Sequence, residues 1–154
     1  MFVPVTQFSV FLTNKPGILS KVCDALATAK INLIAVTLMD SVEHGVFRIV
    51  TGQAQRTRDV LKALNVPLTE TDVLLAQLSN RPGALADICG KLNSEHISIK
   101  YAYVTAGAAG GRTTAIFKVD NSKKALGLKL GDDKKGKRKD TFGQVRSNRA
   151  ITAR

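Results

Sequence analysis

The sequence predicts an α+β protein of two similar units, each with the element order strand, helix, strand, strand, helix, strand around an antiparallel sheet. A hexapeptide occurs twice, as NKPGIL at residues 14–19 and, sixty-six positions later, as NRPGAL at residues 80–85. Alternating apolar residues precede each copy and apolar residues at helical spacing follow it, so each copy is predicted to be the turn between a strand and a helix. The similarity continues in register for about twenty-five residues, which indicates an internal repeat.

The first unit is predicted to start with a half-buried strand. Residues 5–12 alternate between an apolar face that includes Phe8 and Val10 and a second face that includes Gln7 and Ser9, as expected for such a strand. The other elements of this unit follow from the same kinds of periodicity. They are a helix at residues 17–29, strands at 31–39 and 46–51, a helix at 55–64 and a last strand within 68–73.

The second unit repeats this plan. Leu74 and Ala76 occupy the positions of Phe8 and Val10, displaced by sixty-six residues. The third strand matches at a displacement of seventy, so the second hairpin is predicted to be four residues longer than the first. The extra residues fall in the small, flexible segment 106–111, which is predicted to be a loop.

The end of the second unit differs from the end of the first. Asn121 is predicted to cap a short helix that reaches residue 128, and no clear last strand follows it. From residue 131 the chain is rich in charge and cannot bury an apolar face, so it is predicted to be disordered. The sequence therefore predicts a first domain at residues 1–70, a second at 71–130 and a basic tail at 131–154.

Composition and charge restrict the class of protein. The chain has 154 residues, 44% of them hydrophobic, and a net charge of +11, of which residues 129–154 contribute +6. No apolar stretch reaches the length of about 20 residues that a membrane span needs, and the start of the chain lacks the features of a signal peptide. We therefore expect a globular cytoplasmic protein that does not span a membrane.

The sequence contains no pattern typical of a catalytic or metal site. Cys23 and Cys89 occupy equivalent positions on the two predicted helices and are expected to be small buried residues. His44 and His96 have no recurring partner that would suggest a catalytic pair or a metal centre. No phosphate-binding loop is present. We expect a protein that is not an enzyme and that holds neither a metal nor a cofactor.

The repeated turn resembles that of the ACT domain. In that family an Asn-x-Pro-Gly-x-Leu turn joins the first strand to the first helix, and here an Ile-Asn-Leu segment at residues 31–33 then leads into the second strand. The tandem arrangement is similar to small stand-alone proteins made of two such domains. The resemblance implies two ferredoxin-like units that do no chemistry and bind an amino acid or a related small carboxylate ligand where paired sheets meet.

The resemblance also implies which residues face the ligand. In the first unit they are Asn14, Gly17, Ile18 and Leu19 together with Asn32, Leu33 and Ile34. In the second unit they are Asn80, Gly83, Ala84 and Leu85 together with Ser98 and Ile99. The second unit has a serine at the position of Asn32, so the two sites are expected to differ.

The physical chemistry of the turn is compatible with a carboxylate ligand. The start of a helix exposes unpaired N–H groups and a partial positive charge. Pro16 sets the first helical φ angle, and Gly17 has no side chain to keep a ligand from the backbone. Asn14 has atoms that suit an amino group, a carboxylate or the start of the helix itself, so a turn without a ligand explains the same residues. Lys15 recurs as Arg81 near a helix start, which suits a visiting anion or two side chains that point into water.

A second hypothesis is nucleic-acid binding, because RNA-recognition modules share this topology. Those modules stack bases on exposed aromatic side chains, whereas Phe47 and Phe117 lie within apolar runs. The second unit also contains Tyr101 and Tyr103. They are predicted to share a strand face with Ile97 and Ile99 and to pack in a core or a sheet interface.

Two further kinds of partner are expected. The basic tail is suited to weak, nonspecific contact with nucleic acid or another polyanion. Strand edges need partners, and the second unit lacks a last strand, so we expect the two units to pair and the chain to form a homodimer.

Overall fold

A computed structural model of the chain describes residues 1–13, 15–39, 44–105, 111–128 and 130. Within these ranges the chain forms six strands and four helices in the predicted order. The elements are β1 (Phe2–Thr13), α1 (Ile18–Thr28), β2 (Leu33–Met39), β3 (His44–Thr51), α2 (Ala54–Ala63), β4 (Leu68–Ser79), α3 (Ala84–Ser94), β5 (Ile99–Val104), β6 (Arg112–Val119) and α4 (Ser122–Leu126). Of the predicted loop at 106–111, residues 106–110 lie outside the described residues, and so does the predicted tail at 131–154. No helix in the described ranges is both long enough and apolar enough to cross a bilayer.

All six strands belong to one antiparallel sheet with the order β2-β3-β1-β4-β6-β5. β4 is one continuous strand of 12 residues. Its first half completes the sheet of the first unit, as predicted for residues 68–73, and its second half is the first strand of the second unit. The predicted fold class, two antiparallel ferredoxin-like units, is confirmed.

The two central strands are related by the internal repeat. Thr6 pairs with Asp72, its own equivalent sixty-six residues later, so an approximate two-fold axis passes between them. As a consequence, the start of β1 pairs with the second half of β4, for example Phe2 with Ala76. The start of β1 therefore takes the place of the last strand that the second unit lacks. The Phe2 ring meets the Phe117 ring edge to face, with 5.8 Å between the ring centres.

Each unit has an apolar core between its helices and one face of the sheet. In the first core the predicted strand residues Phe8 and Val10 pack against Val22 and Leu26 of α1. In the second core Leu74 and Ala76 pack against α3 in the same way. Asn121 caps α4 as predicted, because its side chain accepts a hydrogen bond of 3.0 Å from the backbone N–H of Lys124.

In the described ranges one face of the sheet carries no helix, and this face is concave. β2 and β6 are four places apart in the sheet order and would lie about 19 Å apart if the sheet were flat, at about 4.8 Å per strand. They instead contact each other. Gln7 and Ser9, on the face of β1 opposite the first core, are consequently buried in this concavity together with Val50 and Ile116.

A β-bulge lies at the equivalent place in both units and corrects one prediction. The pairing register shifts between Leu33 and Ala35 in β2 and between Ile99 and Tyr101 in β5. Each bulge turns the following residues to the other face of the sheet. The prediction that the two tyrosines share a face with Ile97 and Ile99 is therefore wrong. The isoleucines pack in the second core, whereas the tyrosines face the concave side.

Candidate functional site

The first turn delivers β1 into α1 with an unusual backbone geometry. Gly17 has φ 85°, in the left-handed region that favours glycine, and α1 has no side-chain cap. Ile18 donates a long hydrogen bond of 3.4 Å to the carbonyl of Lys15, so its N–H is partly occupied. The N–H groups of Gly17 and Leu19 donate to no backbone carbonyl of a described residue. With respect to the described residues, the start of α1 therefore presents at least two open donors.

A pocket of about 420 Å³ lies beside this turn. Residues from the end of β1, the turn, the start of α1, the end of β2 and the start of β3 form its walls. They are Leu12, Thr13, Lys15, Pro16, Ile18, Leu19, Leu38, Met39 and Gly45. Most of the walls are apolar, while Lys15 contributes a cation. The structure thus places predicted site residues Ile18 and Leu19 in a pocket, next to Gly17.

The two turns differ in charge. In the second turn, Arg81 Nη2 lies 2.8 Å from Asp87 Oδ2 in the first turn of α3. The first turn of α1 has no acidic residue, and the position equivalent to Asp87 is Lys21. No ion pair of Lys15 occurs with a described residue. Among the described residues, no acidic side chain offsets the positive charge at the start of α1, which a ligand carboxylate could meet, whereas Asp87 already compensates the start of α3.

The structure separates the other predicted residues of the first unit from the turn. Asn14 lies outside the described residues. Asn32 is exposed just before β2, and Leu33 packs against the first core. Ile34 packs against the buried residues of the concave face. These residues lie at the far end of α1, whose 11 residues span about 16 Å. A single ligand does not reach both groups within one chain.

The predicted residues of the second unit are divided in the same way. Gly83 has φ 87° and is exposed, as are Asn80 and Leu85, but Ala84 is buried in the second core. Ser98 and Ile99 lie at the other end of α3, beside a second pocket of about 510 Å³. It is lined by Cys89, Asn93, His96, Ile97, Ser98 and Ile99.

The cysteines and histidines form no metal site within the described ranges. Cys23 and Cys89 are free and half-buried at equivalent places on α1 and α3. No group of three or more His, Cys, Asp or Glu side chains that could hold a metal ion occurs in those ranges. The side chain of His44 lies outside them.

Sequence reasoning missed a polar network on the concave face. Gln7 Nε2 donates to the Tyr101 hydroxyl at 2.8 Å, and the Tyr103 hydroxyl donates to Gln7 Oε1 at 3.1 Å. The Arg48 guanidinium lies over the Tyr101 ring, 4.3 Å from its centre. The available signal was the long polar side chain of Gln7 on the same strand face as Ser9. The bulge that turns the tyrosines toward it leaves no pattern in the sequence.

Tyr103 should make the stability of the fold depend on alkaline pH. Burial raises the pKa of Tyr103, the nearby Tyr101 raises it further, and Arg48 opposes the shift. A raised folded-state pKa contributes stability below the unfolded pKa of about 10 that is lost as pH rises above it. We expect the free energy of unfolding, measured by urea denaturation, to fall above about pH 10. In the Tyr103→Phe variant this free energy should fall less over the same pH range. The same alkaline decline in both proteins would contradict this role of Tyr103.

Comparisons with known proteins agree with this architecture. A family model described as an ACT domain pair matches residues 3–135. The crystal structure of protein BT0572 from Bacteroides thetaiotaomicron is similar over 81% of this chain and 85% of that one, with 30% identity and a TM-score of 0.74. No curated protein sequence matches.

Two more distant structures have the same fold. The regulatory subunit of aspartate kinase from Thermus thermophilus aligns with 14% identity and a TM-score of 0.59, over 76% of this chain and 85% of that one. The regulatory subunit of aspartate kinase from Thermus flavus aligns with 16% identity and a TM-score of 0.54, over the same shares of 76% and 85%.

Proposed function

Because the chain belongs to the ACT domain pair family, we propose that it is a non-catalytic regulatory protein that binds an amino acid or a related small carboxylate. The observation that carries the proposal is the apolar pocket of about 420 Å³ beside a helix start whose positive charge no acidic side chain of the described residues offsets. Two distant structural neighbours are regulatory subunits of aspartate kinase, which is compatible with a regulatory role. The two ACT units proposed for this role are residues 1–70 and 71–130.

The ligand carboxylate would bind at the start of α1. The N–H groups of Gly17 and Leu19 supply hydrogen bonds, and the helix dipole and Lys15 supply positive charge. A charge at a helix terminus typically contributes about 0.3–1 kcal/mol, and up to ~2 kcal/mol where it is partly buried. Since Gly17 has no neighbouring atom within 4 Å of an added Cβ, a ligand has room to approach the backbone there.

The ligand side chain would lie against the apolar walls. Leu12, Ile18 and Leu38 line the pocket and offer no carboxylate or amide to a polar side chain. Small-molecule pockets usually measure about 300–1,000 Å³, so the volume suits a single amino acid. We therefore propose an amino acid with an aliphatic side chain.

A second copy of the chain would cover the open side of the pocket. The pocket wall contributed by β2 lies at the edge of the sheet, where Val36, Leu38 and Met39 are each about half exposed. An unpaired, apolar strand edge favours association with another edge. We propose a homodimer in which this edge is covered, and a cytoplasmic site of action.

Thermal unfolding in the presence of each of the twenty amino acids tests the proposed function. A ligand that binds only the folded state adds about 2.7 kcal/mol of stability at 100 times its Kd, which raises Tm. We expect an aliphatic amino acid to raise Tm in a saturable way. Its carboxamide should not, because it lacks the carboxylate. If no amino acid shifts Tm at millimolar concentration, or if acid and amide act equally, the proposal fails.

A further inference from the structure

The concave face carries two cations at equivalent positions of the repeat. Arg48 of β3 and Lys118 of β6 match each other in the two third strands. Register assigns both to the concave side, since Arg48 pairs with the buried Ser9 and Lys118 pairs with Tyr101. This site lies on the other face of the sheet from the first-turn pocket, so it is independent of the proposed function.

No carboxylate of the described residues faces these cations. Glu70, Asp72 and Leu74 occupy every second position of β4, so all three side chains lie on the helix-covered face of the sheet. On that face Glu70 forms an ion pair with Arg58 of α2 at 2.6 Å. The other described carboxylates lie outside the strands, on or beside the helices or directly after β6. They are Asp24, Asp59, Asp87, Glu95 and Asp120.

Within the part of the chain that the structure describes, Arg48 is an unpaired cation in a partly buried place. It makes no hydrogen bond or ion pair with a described residue, and its Nε is buried without an acceptor. Its interaction with the Tyr101 ring offsets part of the cost. Lys118 Nζ donates to the backbone carbonyl of Asp72 at 2.9 Å, which is an acceptor but not a counter-charge. Two uncompensated like charges on one concave face are unfavourable.

Tyr101 brings the two cations into one arrangement. Its ring lies beneath the Arg48 guanidinium at 4.3 Å, and Lys118 is its partner across the strand pair. Gln7 holds the tyrosine hydroxyl and is itself fully buried. The guanidinium therefore sits on a fixed platform, and fixed donors bind oxyanions at a lower entropic cost than mobile ones.

We propose that the concave face binds a small oxyanion, a carboxylate or phosphate group, between Arg48 and Lys118. A planar guanidinium donates two parallel hydrogen bonds to such groups, and the ammonium adds a point charge. An anion there compensates both cations and supplies the acceptors that the described protein groups lack.

Nuclear magnetic resonance of the full chain tests this site directly. The probes are inorganic phosphate and acetate, added separately at constant ionic strength while the Arg48 Nε–H resonance is observed. We expect a saturable shift with at least one probe. A stronger response to phosphate identifies a phosphate ligand, and a stronger response to acetate identifies a carboxylate ligand. If neither anion gives a saturable shift at concentrations of tens of millimolar, Arg48 has only a structural role in the sheet and the proposal is wrong.

Matched variants separate the site from general charge. Arg48→Gln and Lys118→Gln should each weaken anion binding by roughly tenfold or more, which is about 1.4 kcal/mol. In these variants the backbone amides of Tyr101 and Ser9 report binding. Lys100→Gln removes the same charge from the exposed neighbour of Tyr101 and should leave affinity unchanged. If Arg48→Gln fails to fold, the anion affinity of Lys118→Gln tests the proposal instead. Equal losses in Lys118→Gln and Lys100→Gln would overturn the proposal.

Discussion

Replacing Phe2 by Ala should lower the free energy of unfolding by about 3–5 kcal/mol, the range for truncating a buried phenylalanine. The residue is second in the chain, where a change usually has little effect. Here it is only 3% exposed and packs in the core of the second unit against Phe117. Urea denaturation of the variant and the parent measures the difference.

Val3→Ala is the matched control for this prediction. Val3 is on the same strand and is 46% exposed, so its truncation should cost less than about 1 kcal/mol. Hydrogen exchange adds a test of location. Protection should fall first in β6 and α3, because the start of β1 completes the second unit. Equal costs for the two variants, or a loss of protection confined to β2 and β3, would contradict this account of the sheet.

Gly17→Asp should abolish ligand binding, with a loss of affinity of at least about 100-fold, or 2.7 kcal/mol. The new carboxylate would stand where the ligand carboxylate binds and would repel it. The left-handed φ of 85° also disfavours any side chain by about 1–2 kcal/mol. Calorimetric titration with the amino acid that gives the largest rise in Tm measures the effect.

The second unit supplies the control for that variant. Gly83→Asp introduces the same charge at the equivalent turn, where φ is 87°, so the two variants carry nearly equal backbone strain. Ligand affinity should remain close to that of the parent in Gly83→Asp. Equal losses in both variants would indicate a general effect of strain on the fold. Unchanged affinity in Gly17→Asp would place the ligand elsewhere.

Local patterns in the sequence predict most of the fold. The alternation around Phe8 and the helical spacing around Val22 depend on neighbours a few residues away, so periodicity predicts them. The pairing of Phe2 with Ala76 depends on how two distant strands meet. No local pattern encodes this pairing, so sequence periodicity does not predict that the start of β1 serves as the last strand of the second unit.

The candidate site was predictable only in part. The repeated turn identified Gly17, Ile18 and Leu19, because a glycine turn and a helix start are local features. The pocket walls contributed by Leu38 and Met39 depend on strand pairing and curvature, which sequence periodicity does not report. The same holds for the β-bulge before Tyr101, since one extra residue reverses the face of every residue after it.

A titration of the isotope-labelled protein with the stabilising amino acid tests the central claim most directly. The account predicts saturable shifts in the backbone N–H resonances of Gly17, Ile18 and Leu19. Over the same concentration range, those of Gly83 and Leu85 should change little, because Asp87 already compensates the second turn. Shifts of equal size and equal affinity at both turns, or none at the first turn, would contradict it.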